Sequence, residues 1–171
     1  MAAEIVPPER LLEHVRAHWN GIRPNSPIYD LFFKDLRIVA ATPGRIRARL
    51  PELAHIHINS KNVLHGAVSA ALVDWAGGMA IASTGRTSTG VSVDIHVSYV
   101  SAARAGDGLE VEAWVQRAGR TLAYTTVEIR KLVKAEGPTA GDGDGGDDPE
   151  PTKGPVVAAG SHTKYLNVPG Q

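Results

Sequence analysis

HGAVSAALVDWAGGMAIAS, residues 65–83, is the longest apolar stretch of the chain and the one whose reading decides the fold. Ala, Leu and Met favour a helix, and the run lacks the charged face that a surface helix carries. The composition therefore predicts a buried helix, closely wrapped by other elements, with Gly77-Gly78 fraying or bending it. Asp74 does not fit this picture. Positions 70, 71, 77, 78 and 81 around it are Ala, Ala, Gly, Gly and Ile, so no polar stripe leads it to water. An isolated buried carboxylate costs roughly several kcal/mol unless it is paired or protonated. Asp74 either caps a kink or faces solvent, or it is held desolvated for chemistry. The missing polar stripe favours chemistry, since such carboxylates concentrate in active sites.

The start of this helix adds a second feature. His65-Gly66 opens it after the polar stretch Asn59–Asn62, and free N–H groups with the positive dipole end lie there. Gly66 allows another group to approach its N–H closely, as in a site that polarises a carbonyl and stabilises an oxyanion. Packing is the competing reason for a glycine there. Asp74 is eight residues further on, about 12 Å along the axis at helical rise. One small carbonyl cannot touch both within one chain. Either the two serve unrelated roles or a second copy supplies one of them. Two such helices packed antiparallel across a two-fold axis would bring Asp74 of one chain towards Gly66 of the other.

On either side of this helix the pattern changes. Residues 8–20 (PERLLEHVRAHWN) read as a helix with Leu11, Leu12, Val15 and Trp19 on one face and Asn20-Gly21 at its end. Ser26-Pro27 opens a second short helical segment, IYDLFFKDL. LRIVAAT and RIRARL flank the turn Pro43-Gly44 as two strands. In the second, Ile46, Ala48 and Leu50 alternate with Arg45, Arg47 and Arg49, so the basic face is wet or forms an ion-pair row with Glu residues. HIHINSKNVL (55–64) reads as irregular after a strand start. VSVDIHVSYV alternates Val91, Val93, Ile95, Val97 and Tyr99 against Ser92, Asp94, His96 and Ser98. With LEVEAWVQR and TLAYTTVEIRKLV it predicts a three-strand antiparallel meander. Residues 135–155 are rich in Gly, Asp and Pro and read as a flexible acidic loop; the closing Glu and spacing of a calcium loop are absent. PVVAAGSHTKYL (155–166) reads as a final strand, so the loop joins two neighbouring strands. The sum is an α+β domain, an antiparallel sheet wrapped around a long central helix over residues 36–171, with residues 1–35 as a helical lead-in.

Composition narrows the function. The chain has 171 residues, with 18 Lys+Arg balanced by 18 Asp+Glu, which argues against nucleic acid as a partner. No apolar run reaches the roughly 18 residues of a membrane span. The absence of Cys excludes disulfides, Cys-ligated metal and Cys nucleophiles. The first twenty residues contain Glu4, Glu9 and Glu13 and no long apolar stretch, so neither a secretory signal nor an acid-poor transit peptide is expected, and cytoplasm or mitochondrion remain. His55 and His57 could form half a metal site, but no third ligand accompanies them, so no metal is expected. Ser92 lacks the G-x-S-x-G elbow of a serine hydrolase. Trp19, Trp75 and Trp114 read as core or interface anchors.

Asn59…Leu64-His65-Gly66-Ala67…Leu72-Val73-Asp74 followed by Gly90-Val91-Ser92-Val93-Asp94 resembles the hotdog-fold acyl-CoA thioesterases. The resemblance is closest to the group of thioesterase superfamily member 2 and the phenylacetate-pathway thioesterases. YVSAARAGD, AGRTLAY and AAGSHTKYL resemble further segments of that family, which thus covers 59–134 and 155–166. Ala67 and Ala102 stand where the family pattern has Gly and Pro. The resemblance implies acyl-CoA hydrolysis without a cofactor, in a homodimer or homotetramer whose sites each draw on two chains. It implies Asp74 as general base or nucleophile, Gly66 N–H as the group that binds the thioester oxygen, and Asn59 beside that carbonyl. Ser92 would orient water with Asp74, and His65 would support. Because CoA carries phosphates, Arg120, Lys164 and Arg104 are the candidate cations along its path. An acyl-thioester dehydratase or hydratase and a non-catalytic acyl-CoA binder are the alternatives.

Overall fold

The computed structural model describes residues 6–133 and 152–167, so most of the segment expected as a loop at 135–155 lies outside the described residues. Among the described residues three α-helices are present, α1 (Leu11–Ile22), α2 (Pro27–Phe33) and α3 (Gly66–Ala82). Six strands follow the chain as β1 (Arg37–Thr42), β2 (Arg45–Leu50), β3 (Val91–Tyr99), β4 (Gly108–Ala118), β5 (Leu122–Val133) and β6 (Thr152–Tyr165). They form one antiparallel sheet in the order β1-β2-β4-β5-β6-β3. α3 is the apolar run of 65–83; Val68, Leu72, Val73, Trp75, Ala76 and Met79 are buried along it, while Ala67, Ala70, Ala71 and Asp74 share a partly open face on its first turns. A helix apolar all round must be enclosed, and the sheet wraps it. His65 caps it, its Nδ1 accepting from Ala67 N at 3.0 Å, and the helix runs unbroken through Gly77 and Gly78.

Those glycines are used for contact with the sheet. A Cβ on Gly77 would lie 2.7 Å from Thr125 Oγ1 and 2.8 Å from His162 Nδ1. Gly160 on β6 plays the reciprocal part, since a Cβ there would lie 2.8 Å from Val73 Cγ2. α1 and α2 pack at the end of this core. Trp19 meets Trp75 edge-on at 5.3 Å and Tyr29 at 5.7 Å, and the Arg16 guanidinium donates to Ile38 O at 2.8 and 3.0 Å.

Besides the unbroken α3, which was expected to fray or bend at Gly77-Gly78, the structure corrects three further expectations. α1 continues through Asn20-Gly21 to Ile22, because buried Val15 and Trp19 hold the helix and the first helix-stopping residue is Pro24. Residues 55–57 form a 3-10 turn rather than a strand start. β3, β4 and β5 are not a consecutive meander. β6 pairs with both β5 and β3, so β3 sits at the sheet edge and the 100–107 connection runs to β4 in the sheet interior. The expectation that β5 and β6 are neighbours holds. So does the ion-pair row, with Arg45–Glu112 at 2.7 Å and Arg49–Glu110 at 3.0 Å across the β2–β4 pair.

Because real Cβ atoms do not approach polar atoms this closely, Gly77→Ala is expected to destabilise the fold by about 1–3 kcal/mol, the usual cost of overpacking. Urea unfolding followed by tryptophan fluorescence measures it.

Candidate active site

Asp74 sits on α3 with its side chain 31% exposed, in a wall otherwise made of apolar groups. Two hydroxyls from distant segments solvate it. Tyr29 Oη, from α2, donates to Oδ2 at 2.7 Å. Ser92 Oγ, from β3, donates to Oδ1 at 3.1 Å. His162 on β6 stands behind the serine, with Nε2 2.9 Å from Ser92 Oγ and 3.6 Å from Asp74 Oδ1. Ser92 spends its one proton on Asp74, so it accepts from His162 Nε2–H. The imidazole is then the neutral Nε2–H tautomer, and its buried Nδ1 has no partner among the described residues, beside Gly77. Burial pushes His162 down to about 4, helped by the Lys164 charge and opposed by Asp74 and Asp94. Burial and then the Asp74 charge raise the Tyr29 phenol above its ordinary value, which keeps it a donor.

The strand reading misses how Ser92 gets there. Strict alternation puts Ser92 on the face opposite Ile95 and Val97. The register between β3 and β6 shifts between Ser92 and Asp94, pairing Ser92 with Lys164 and Ile95 with His162. The bulge at Val93 thereby turns Ser92 to the helix side together with the residues that alternation would oppose to it.

The other expected residues lie at the start of α3. Asn59, Gly66, Leu64, Ser69, Tyr99 and Val157 line a cleft of about 420 Å³. Asn59 Oδ1 accepts from Lys61 N at 2.9 Å and Val63 N at 3.3 Å, a turn completed by Asn62 at φ 63°. Its Nδ2 amide has no partner among the described residues, and neither has the Gly66 N–H. Two residues with unpaired donors therefore line one cleft, an arrangement suited to a carbonyl oxygen. A side chain on Gly66 would crowd Tyr99, whose Cζ would lie 3.2 Å from a Cβ, and Tyr99 Oη donates to Gly66 O at 3.2 Å. His65 is spent on capping α3.

The structure thus brings Asp74 and Ser92 together, and Asn59 with Gly66, as two separate groups on one chain. Arg120 and Arg104 are exposed. Lys164 is only 7% exposed and lies inside the sheet, where burial lowers its pKa against the attraction of Asp74. His57 is structural: Nδ1 accepts from Ala54 N at 2.9 Å, and Nε2 is 2.8 Å from Phe32 O, to which it donates. Among the described residues no group of three His, Asp or Glu could hold a metal. Tyr29 and His162 were not singled out in the sequence. The signal for His162 was available as an inward strand position opposite a helix glycine; Tyr29 gave none.

The described residues also contain no helix long and apolar enough to cross a membrane. A family model described as thioesterase superfamily matches residues 61–137. Human acyl-coenzyme A thioesterase 13 is 31% identical over 131 residues, covering 77% of this chain and 79% of that protein. A putative esterase of Caenorhabditis elegans is 33% identical over 135 residues, covering 79% of this chain and 77% of its own. The crystal structure of zebra fish thioesterase superfamily member 2 superimposes with a TM-score of 0.70 at 30% identity, over 95% of this chain and 99% of that one.

The lowered His162 value has a consequence for stability. An unfolded chain takes up the proton near 6.5 and the folded one near 4, so the contribution is whole above about pH 6.5 and is lost as pH falls towards 4. Urea midpoints between pH 7 and 4 are expected to fall more steeply for the native chain than for His162→Gln.

Proposed function

Because this chain belongs to the thioesterase superfamily and is a thioester hydrolase, we propose that it hydrolyses an acyl-CoA at a site shared by two chains, with Asp74 of one and Gly66 of the other. The observation that carries this reading is the separation of an anchored carboxylate on α3 from two unpaired donors, Gly66 N–H at the start of that helix and Asn59 Nδ2 in the turn before it. They are too far apart to serve one carbonyl within a chain, yet complementary across two.

The thioester oxygen accepts hydrogen bonds from Gly66 N–H and Asn59 Nδ2, and the helix dipole behind Gly66 opposes the negative charge that develops there. Losing one such donor typically raises a barrier by about 2.7–4 kcal/mol. Asp74, with Ser92 orienting the water, takes a proton as the water oxygen bonds to the carbonyl carbon. The tetrahedral intermediate collapses by breaking the C–S bond. The thiolate leaves as CoA and takes up a proton, and the acyl group leaves as a carboxylic acid. Direct attack by Asp74 through a mixed anhydride uses the same groups. His65 supports by fixing the first turn of α3. Arg120 and Arg104, both exposed, supply the cations for the CoA phosphates; Lys164 acts from inside, near Asp74.

The second chain docks through β3. This edge strand presents Val91 at 45%, Val93 at 57%, Ile95 at 39% and Tyr99 at 62% exposure, an apolar edge that a lone protomer would leave open to pairing.

Asp74→Asn and Asn59→Ala are each expected to lower kcat by orders of magnitude while remaining folded. Mixed and reassembled, they pair so that one site of each heterodimer carries both defects and the other neither. Free-thiol release is then expected to recover to about a quarter of the native rate. No recovery overturns the shared site, and near-normal turnover by Asp74→Asn overturns its role. Arg120→Glu is expected to raise KM for acyl-CoA more than it lowers kcat, and an unchanged KM removes Arg120 from the CoA path.

A further inference from the structure

Each Asp74 oxygen has its own anchor. Oδ1 is shared by Ser92 at 3.1 Å and, beyond it, His162 at 3.6 Å. Oδ2 has one partner among the described residues, the Tyr29 hydroxyl at 2.7 Å. Tyr29 comes from outside the sheet-and-helix unit, on the seven-residue helix α2, and its placement is over-determined. Ser26 Oγ accepts from Tyr29 N at 3.4 Å at the start of that helix. The ring stacks on Phe33 at 6.0 Å with 28° between planes and packs against Trp19 at 5.7 Å. Phe33 and Trp19 are themselves buried. The phenol is therefore delivered to Oδ2 by an aromatic cluster that ends on Trp75, the residue next to Asp74 in α3.

We infer that Tyr29 is a positioning residue for the hydrolysis: by holding Oδ2 it fixes the plane of the Asp74 carboxylate and leaves Oδ1, beside Ser92, as the oxygen that meets the attacking water. A carboxylate on an α-helix can otherwise rotate about its terminal torsion, which is broad. One anchor at 2.7 Å on a group held by two aromatic neighbours removes that freedom. The burial and charge that keep the phenol protonated keep the anchor in place. This inference rests on the reading of Asp74 as the group that activates water. It adds a segment of the helical lead-in, residues 27–33, to the working parts of the site.

Tyr29→Phe tests it, since the ring and its stacking partners remain and only the hydroxyl is lost. The expected result is a kcat lower by about tenfold to a hundredfold, the scale of one hydrogen bond to a charged group. KM for acyl-CoA stays within about twofold, because the phenol is spent on Asp74 Oδ2. The melting temperature stays close to native. Tyr29→Phe is also combined with Asp74→Asn. If the tyrosine acts through the carboxylate, the double variant keeps the residual rate of Asp74→Asn alone. A native kcat in Tyr29→Phe, a raised KM with native kcat, or fully additive losses in the double variant each overturn the inference. If Asp74→Asn itself turns over normally, the proposed function fails first and takes this inference with it.

Discussion

A carboxylate in the wall of an apolar helix has to be solvated by the protein, and that requirement organises this molecule. Asp74 is the one charged group of α3, and its two oxygens are met by hydroxyls 45 residues before it and 18 residues after it in the chain. Removing either donor would leave part of a charged group unmatched in a site of low polarity, where such losses are large. α2 must therefore dock on the open end of the core, and β3 must lie beside β6 with its serine turned inward. The sheet must also approach closely enough for His162 to reach that serine, which is what Gly77 and Gly160 permit. Fold and site are consequences of one packing arrangement.

The same helix carries the complementary chemistry at its other end. Donors belong at an α-helix N-terminus, where N–H groups are free, and an acid belongs where its own helix cannot donate to it. Putting both on one helix separates them by about two turns, roughly 12 Å at 1.5 Å per residue. On the proposed mechanism that separation makes association part of catalysis. On that proposal the cleft at Gly66 and the carboxylate at Asp74 become one site when a partner helix runs the opposite way, with the exposed β3 edge as the surface that two chains share.

Much of this was legible in the sequence because it depends on local pattern. The apolar run of 65–83 dictated a buried helix, Asp74 stood out against Ala and Gly neighbours, and Arg45, Arg47 and Arg49 announced a charged strand face. What was not legible depends on pairing. Alternation assigns faces correctly only while register is regular, so the Val93 bulge, which delivers Ser92 to Asp74, cannot be seen from period-two counting. The place of β3 depends on β6, which arrives more than fifty residues later and inserts between β5 and β3. Tyr29 belongs to an aromatic cluster with Trp19, Phe33 and Trp75, and in sequence nothing separates the member that turns its polar end to Asp74 from those that only fill space. Lys164 shows the converse: its type suggested a surface cation, while its register opposite Ser92 on the inward face buries it.

The charges around Asp74 explain why the anchors are hydroxyls. His162 is neutral at physiological pH, and Lys164 lies close enough to feel the carboxylate while making no ion pair with it within 4 Å among the described residues. A direct lysine contact would occupy oxygen lone pairs that the proposed mechanism needs for the water's proton, and it would cost desolvation of two ions. Tyr29 and Ser92 each occupy one direction on one oxygen and add no charge. Lys164 contributes a field from a distance, offsetting the negative charge without competing for its lone pairs. On the proposed mechanism Asp74 has to be held in place and yet left free to accept, and neutral donors with a remote cation meet both conditions, which a salt bridge would not.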